Sequence, residues 1–357
     1  MPKPLPGMRL LRSLARLVAA ATPKPRKAPR KPRSKPSEKP PVPLELRKHK
    51  RPAVQAAPGK WLAHHVLTHG QRMAYWLYLP NRPEGEFAPP SLPLIIMLHG
   101  CQQSATEFAQ GTRMNWLAEK KGFAVLYPQQ ALRTQAHRCW RWYEPAVQQG
   151  GGETAVLVNL VRSVCEQHAI DLRRVYACGI SAGAGMAAVL ALNHPELIAA
   201  VALHSGPIFG AGHGPGGALR VMHHGDSAQA TLAIRGLIER RATQGMPPMP
   251  ALLIQGEDDR IVRPVNQVQL ARQWLHLNGL DAAKPTRTVS KPGSRSGSRN
   301  AHEVQDYIKG RKVLLRVTRI AGLGHAWSGG DPTLRFNAKA GPDASRMVLD
   351  FLSKHRR

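Results

Sequence analysis

The sequence predicts an α/β fold with a doubly wound, mostly parallel sheet and an antiparallel hairpin at its start. Three observations support this prediction. Continuous apolar runs of strand length, such as 93–100, are typical of strands that are buried on both faces of a parallel sheet. These runs alternate with segments of helical periodicity, through short connections that contain glycine. Two β-rich runs flank His69 and Gly70, which suits an opening hairpin.

The predicted elements follow one another in the order that such a sheet requires. Residues 285–300 are polar and basic, contain no core residues and are predicted as a flexible loop. No internal repeat is visible, so we expect a single folded domain over 59–357. Strands are predicted at 93–100, 123–127, 174–178, 198–203, 251–255 and 314–320, and helices at 114–121, 153–168, 184–194, 267–277 and 344–354.

Composition limits the class of protein. The chain has 357 residues, of which 42% are hydrophobic and 20% charged, so a sizeable core can be buried. No apolar run approaches 18 residues, which excludes a conventional membrane span. The four cysteines are too few for a disulfide scaffold and lack the paired C-x-x-C spacing of a zinc site. The cysteines thus give no sign of a zinc site, and the expected chemistry requires neither a metal nor an organic cofactor.

The excess positive charge is concentrated at the start of the chain. The formal net charge is +29, and residues 1–60 hold 17 Lys and Arg against two acidic residues, with 13 of the 31 prolines. Proline blocks helix formation and like charges repel, so residues 1–58 are predicted as a disordered basic tail. Within it, leucines and arginines fall on different helical faces, which predicts a short amphipathic helix at 8–21.

The tail is compatible with three roles. It can be a solvated extension, an anchor on an anionic membrane or storage-granule surface, or an atypical export signal. Arg12 and Arg16 interrupt the apolar run that a secretory signal needs. Nothing that resembles a nucleic-acid-binding fold accompanies the charge, so a nucleic-acid partner is not required.

A candidate nucleophile lies between a predicted strand and a predicted helix. Residues 179–183 read G-I-S-A-G, with Ser181 at the centre. In this position G-x-S-x-G is the nucleophile elbow, a tight turn that lifts the hydroxyl above the sheet. The helix that follows directs its positive N-terminal end at the serine, where negative charge would develop. The alternative is a glycine-rich turn whose serine only caps the helix.

A nucleophilic serine needs a base and an acid that orients the base. Both are expected just past the ends of later strands, the acid first. His325 lies in a glycine-rich turn after the strand at 314–320. Asp259 is favoured over Glu257 and Asp258 as the acid because Val262, three residues later, can anchor its loop in the core.

The oxyanion of an acyl-transfer intermediate needs two N–H donors. One is expected from Ala182, directly after the nucleophile. The second should come from the loop that follows the strand at 93–100, where Cys101 is the first choice and Gln102 the alternative. In both cases the donor is the main chain.

The order of the motifs resembles one known family. LHGCQQS, CWRWYEP, CGISAGAG, GEDDRIV and GLGHAWSGGDP together look like the polyhydroxybutyrate depolymerase family of esterases, which is more distantly similar to feruloyl and acetylxylan esterases. The resemblance covers roughly 61–355 and implies an α/β-hydrolase fold with Ser181, Asp259 and His325 as the triad. It also implies that Cys101 belongs to the oxyanion loop and can pair with Cys139.

The family resemblance implies a substrate cleft as well. Trp140, Trp142 and Trp327 would line it together with Gln102. Trp140 and Trp142 would share a face in an extended segment, and core packing is the alternative explanation for them. Trp327 lies two residues after the proposed base.

The implied activity is hydrolysis of carboxylic esters through an acyl-enzyme. Poly- or oligo(3-hydroxyalkanoates) or related aliphatic esters are the expected substrates, small or polymeric, with a feruloyl or acetylxylan ester as the alternative. A non-catalytic hydrolase-like binder is a third reading. The oligomeric state is not predicted.

Two departures from the family pattern stand out. Family members are often exported, yet the chain begins without a clean signal, so extracellular, envelope, granule and cytoplasmic locations all stay open. Gln255 stands where the family commonly has histidine. We expect neither departure to affect the triad.

Overall fold

The computed structural model describes residues 56–68, 70–81, 91–132, 134–242, 247–280 and 284–357. The predicted disordered tail and the amphipathic helix at 8–21 therefore lie outside the described residues, apart from the last three tail positions. Within the described ranges, no helix is long and apolar enough to cross a membrane.

Ten strands in the described part of the chain form one sheet. A separate pair of two-residue strands, β11 (Trp327–Ser328) and β12 (Asn337–Ala338), closes a loop beside it. The ten strands are β1 (Lys60–Thr68), β2 (Gln71–Leu79), β3 (Leu92–Leu98), β4 (Ala124–Gln129), β5 (Ile170–Ile180), β6 (Ala200–His204), β7 (Ala251–Gly256), β8 (Arg287–Lys291), β9 (His302–Lys309) and β10 (Lys312–Ile320).

The strand order is β1-β2-β4-β3-β5-β6-β7-β10-β9-β8. The six strands from β4 to β10 in this order are parallel to one another. Two antiparallel strands extend the sheet on each side. The predicted mostly parallel sheet with an N-terminal hairpin is confirmed. The carboxyl ends of the parallel strands lie at one edge of the sheet, where ligands bind in open α/β folds.

Helices cover both faces of the sheet, so the central strands are apolar on both sides. In β3, Leu94, Ile96 and Leu98 pack into one core, while Ile95 and Met97 pack into the other. The helices are α1 (Ala105–Thr112), α2 (Met114–Lys121), α3 (Pro145–Gln148), α4 (Glu153–Gln167), α5 (Ala182–Asn193), α6 (Gly214–His224), α7 (Ser227–Ala242), α8 (Val265–Leu277) and α9 (Ala344–Leu352).

The prediction of a loop over 285–300 is wrong for Arg287–Lys291, which form β8. All five residues of this strand are exposed, so no apolar alternation marks it in the sequence. It forms because β9 offers it a partner, with Val289 opposite Val304. Side-chain contacts also hold it, since Arg287 and Arg316 both engage the buried carboxylate of Asp306.

The packing of α5 against β3 leaves no room for a side chain at Gly183. A Cβ there would overlap the carbonyl oxygens of Leu98 and His99. We expect Gly183→Ala to lower the free energy of unfolding by about 3 kcal/mol or more, because main-chain atoms cannot move aside cheaply. Chemical denaturation followed by circular dichroism measures this. Gly236→Ala is the control, since Gly236 lies in α7 with open space around it. That variant should be neutral or slightly more stable, and equal losses in both would contradict the packing argument.

A buried histidine follows α9 and makes the fold sensitive to acid. His355 packs on Phe351 with ring centroids 4.6 Å apart, and no described group bonds to either ring nitrogen. Burial, together with the charges of Lys312, Lys354 and Arg316, lowers the pKa of His355 from 6.5 to about 4. Between these two pH values the unfolded chain takes up a proton and the folded chain does not, so stability is lost as pH falls.

Replacing His355 with phenylalanine should remove this pH dependence. We expect the stability advantage of His355→Phe over the wild type to be about 2 kcal/mol larger at pH 5 than at pH 8, since only the wild-type unfolded state gains a proton at this position. Urea denaturation at the two pH values gives the comparison. The bond from the Tyr176 hydroxyl goes to the main-chain oxygen of residue 355, so it survives the substitution. An advantage equal at both pH values would contradict a neutral, buried His355.

Candidate active site

Ser181 lies in the tight turn that joins β5 to α5. Its backbone is in a strained conformation, with φ +58° and ψ −125°. The Ser181 N–H donates to the His204 oxygen at the end of β6 (3.0 Å), and its own oxygen accepts from Gly185 within α5 (3.1 Å). The serine is therefore held above the carboxyl end of β5 with α5 beginning directly behind it, as the sequence predicts.

Asp259 lies in the turn that follows β7, two strands away from β5 in the sheet. Its side chain is buried. Carboxylate oxygen Oδ1 accepts from the N–H groups of Ile261 (2.9 Å) and Val262 (3.0 Å). Asp258 and Glu257 are exposed in the same turn. Among these three acids, Asp259 alone is directed inward.

His325 lies in the turn after β10, next to β7 in the sheet. Its Nδ1 is 2.8 Å from Oδ2 of Asp259, and only 7% of its side chain is exposed. Because a carboxylate only accepts hydrogen bonds, Nδ1 carries the proton in this contact. The other ring nitrogen, Nε2, is thereby left as the basic site.

The environment of Asp259 favours its charged form. Burial by itself would raise the pKa of this carboxyl. The neighbouring His325 and the N–H groups of Ile261 and Val262 outweigh burial and lower the pKa below its ordinary value of 3.8. An ionised carboxylate is the form that can hold the imidazole tautomer and stabilise its cation.

Two main-chain N–H groups of the candidate site have no acceptor among the residues that the structure describes. One belongs to Ala182, the first residue of α5, where no intrahelical partner exists. The other belongs to Cys101, three residues after β3. The alternative donor, Gln102, is excluded in this structure because its N–H donates to the His137 oxygen at 2.7 Å. Both preferred oxyanion donors are therefore available.

The loop that carries Cys101 is held from several sides. Cys101 and Cys139 form a disulfide, with their Cα atoms 4.3 Å apart. Before the loop, the His99 ring donates from Nδ1 to the Gly100 oxygen (2.8 Å) and accepts at Nε2 from the Gln130 N–H (3.2 Å). The Cys101 N–H is consequently presented from a rigid segment rather than from a free loop.

The expectation that three tryptophans line the cleft needs correction. Trp140, Trp142 and Trp327 are 0%, 3% and 1% exposed, so they offer no surface to a substrate in this structure. The Trp140 indole N–H donates to the His99 oxygen (3.1 Å), and that of Trp327 donates to the Ser345 hydroxyl (3.1 Å). These side chains support the site from within the core. The remaining predicted contact, Gln102, is partly exposed.

Two residues that the sequence analysis did not assign to the site touch it. Gln255 donates from Nε2 to Oδ2 of Asp259 (3.1 Å), so the departure from the family pattern does reach the triad, contrary to expectation. His204 lies stacked on Trp327 at 5.1 Å. Burial and the charge of His325 lower the pKa of His204 to about 3. For Gln255 the sequence did carry a signal, since the family commonly has histidine directly before Gly256. No sequence signal pointed to His204.

The side chains at the site carry the chemistry of acyl transfer, with no group of metal ligands among them. In the ranges that the structure covers, no cluster of three or more His, Cys, Asp or Glu side chains could hold a metal ion. A serine at a strained turn, an imidazole hydrogen-bonded to a buried carboxylate, and two free N–H groups provide a nucleophile, a base and an anion-binding site.

The chain is similar to several esterases of known sequence. Residues 73–296 match the family profile described as Esterase PHB depolymerase, which is more than half of the chain. The chain is 30% identical over 240 residues to Poly(3-hydroxyalkanoate) depolymerase C of Paucimonas lemoignei, covering 66% of this chain and 55% of that protein. It is 29% identical over 227 residues to Feruloyl esterase B of Thermothelomyces thermophilus, covering 61% and 75% respectively. The match thus spans about half the length of the depolymerase.

A solved structure of similar fold is acetyl xylan esterase from Aspergillus awamori. The two superimpose with a TM-score of 0.60 at 21% identity, over 74% of this chain and 94% of that one. At this level of identity the likeness establishes a shared fold.

Proposed function

The chain belongs to the esterase PHB depolymerase family, and from this membership and the site geometry we propose that it is a serine hydrolase of carboxylic esters. Its fold is the α/β-hydrolase fold. The observation that carries the proposal is the 2.8 Å contact between Asp259 and His325, at the same sheet edge as the strained turn of Ser181.

In the proposed first half-reaction the enzyme is acylated. The Ser181 hydroxyl attacks the ester carbonyl carbon while Nε2 of His325 takes its proton. The N–H groups of Ala182 and Cys101 stabilise the negative oxygen of the tetrahedral intermediate. The C–O bond to the alcohol then breaks, the imidazolium returns the proton to the leaving oxygen, and an acyl-serine ester is left.

The second half-reaction returns the free enzyme. A water molecule attacks the acyl-serine carbonyl and gives its proton to Nε2 of His325. The bond to Ser181 breaks, and its oxygen regains the proton from the imidazolium. Asp259 stays ionised throughout, which matches the lowered pKa of its carboxyl. The products are one carboxylic acid and one alcohol, and no cofactor takes part.

We propose poly- or oligo(3-hydroxyalkanoates) and related aliphatic esters as the substrates. Support comes from the family match and from the depolymerase of Paucimonas lemoignei, to which the chain is 30% identical. The second candidate is an ester of ferulic acid or an acetylated xylan, favoured by the similarity to Feruloyl esterase B, three quarters of which is covered. Comparing the rates on a 3-hydroxybutyrate oligomer and on methyl ferulate distinguishes the two classes.

A fluorophosphonate probe tests the proposed chemistry directly, because it reacts with an activated serine hydroxyl and hardly with an ordinary one. One phosphonyl group per chain is expected, on the peptide that contains Ser181, with parallel loss of p-nitrophenyl butyrate hydrolysis. Labelling of a different serine, or no labelling of the folded protein, would exclude the assignment. The non-catalytic reading predicts the latter result.

A further inference from the structure

An exposed guanidinium lies beside the loop of the proposed oxyanion donor. Arg335 donates from Nη2 to Oε1 of Gln102 at 3.2 Å, across 233 positions of the chain. Gln102 directly follows Cys101, whose N–H is proposed to bind the oxyanion. The Arg335 side chain is exposed, so four of its five N–H donors remain available to a ligand.

The backbone of Arg335 is anchored to the loop that carries His325. The oxygen of Phe336 accepts from the N–H of Trp327 (2.8 Å), two residues after His325. The Asn337 side chain donates to the oxygen of Arg335 itself (2.9 Å). The guanidinium also lies over the Phe336 ring, 5.0 Å from its centre. This positive group is therefore fixed in place between the oxyanion loop and the turn of the catalytic base.

The charge of Arg335 is not neutralised within the described structure. No Asp or Glu there forms an ion pair with it, whereas Arg316 has Asp306 at 2.6 Å. The nearest acid along its own loop, Asp331, accepts from Thr333 and lies 4.0 Å from Arg113. A fixed cation that lacks a counter-ion beside a binding site is suited to an anionic ligand.

A second arginine belongs to the segment that is bonded to the same loop. Arg138 stands between His137, whose oxygen accepts from Gln102, and Cys139, which is bonded to Cys101. No described carboxylate pairs with it either, whereas the nearby Arg141 pairs with Glu144 and Glu153. Burial is the main cause that lowers the pKa of His99 to about 4, and the charge of Arg138 lowers it further.

We propose that Arg335, supported by Arg138, binds a carboxylate on the substrate, so that the enzyme prefers esters whose leaving group ends in a free acid. This inference rests on the proposed ester hydrolysis and specifies its substrate. In an oligomer of a 3-hydroxy acid, two carbons separate the last ester oxygen from the terminal carboxylate. We expect a carboxylate this close to the scissile bond to lie near the oxyanion loop, where a guanidinium can bind both of its oxygens.

The test compares two substrates that differ only in the charge of that group. They are the linear dimer of 3-hydroxybutyrate and its methyl ester. The wild type is expected to favour the free acid in kcat/KM. In Arg335→Gln, kcat/KM for the acid should fall about 10-fold or more, while that for the methyl ester changes less than about 2-fold. Arg335→Lys keeps the positive charge but loses the planar guanidinium that can bind both carboxylate oxygens. It should recover part of the lost kcat/KM for the acid.

Lys312→Gln is the matched control, since it removes one exposed positive charge at the start of β10, at the opposite edge of the sheet. It should leave the ratio of the two substrates unchanged. An equal fall for both substrates in Arg335→Gln would mean that Arg335 only positions Gln102, and the proposal would be overturned. A wild type with no preference for the acid would overturn it too. Absence of p-nitrophenyl butyrate hydrolysis in the wild type would instead refute the proposed function.

Discussion

Replacing Ser181 with alanine is expected to lower kcat for p-nitrophenyl butyrate by about a million-fold, to the limit of detection. The variant keeps the N–H groups of Ala182 and Cys101 and the pair of Asp259 with His325, but no oxygen remains that can form the acyl-enzyme. Alanine fits the buried position and removes only the hydroxyl. Initial rates at matched protein concentration give the effect, and thermal unfolding shows whether the fold is intact.

Ser205→Ala is the appropriate comparison. Ser205 is buried directly after β6, the strand next to β5, and its hydroxyl lies 3.2 Å from Nδ1 of His204. This substitution also removes a serine hydroxyl, but at the end of the neighbouring strand. We expect it to change kcat less than about 10-fold. Turnover retained by the Ser181 variant at a comparable level would remove the nucleophile from the mechanism.

Asp259→Asn should lower kcat by roughly 10⁴-fold. The two oxygens of Asp259 have separate partners, the N–H groups of Ile261 and Val262 on Oδ1 and the imidazole on Oδ2. Asparagine has one oxygen. If this oxygen faces the two main-chain donors, its NH₂ group faces Nδ1 of His325. The imidazole must then accept there, so its proton moves to Nε2 and the base is lost. Steady-state kinetics on p-nitrophenyl butyrate measures the loss.

Asp258→Asn separates this effect from a general loss of negative charge. Asp258 is the preceding residue in the same turn and is exposed. Its substitution should leave kcat within about 3-fold of the wild type, as expected for an exposed side chain. The opposite result, a damaging Asp258 variant beside an active Asp259 variant, would transfer the role of the acid to Asp258.

The central part of the fold could be predicted because its strands carry their own signal. β3, β6 and β7 are buried at every position, so their apolar runs are visible without knowledge of their neighbours. The turns after β5, β7 and β10 are likewise local, since glycine, acid and histidine stand where each strand ends. For these reasons the contact of Asp259 with His325 could be anticipated.

Elements that depend on distant partners could not be predicted in this way. β8 is exposed throughout, and its pairing with β9 includes the contact of Arg287 with Asp306, which are 19 positions apart. The tryptophans show the same limit within the site. The spacing of Trp140 and Trp142 indicates a shared face but not whether that face meets solvent or core. Only the folded structure shows that both side chains are buried in the core.

The placement of β10 has a consequence for assembly of the enzyme. Its partner β7 ends at Gly256, 56 positions before β10 begins, and the intervening chain forms α8, β8 and β9. The imidazole reaches its carboxylate only when β10 has docked beside β7, so a chain in which this strand is not yet paired cannot hydrolyse esters. Recovery of hydrolysis after dilution from denaturant therefore requires β10 to have docked, whereas circular dichroism registers helices wherever they have formed.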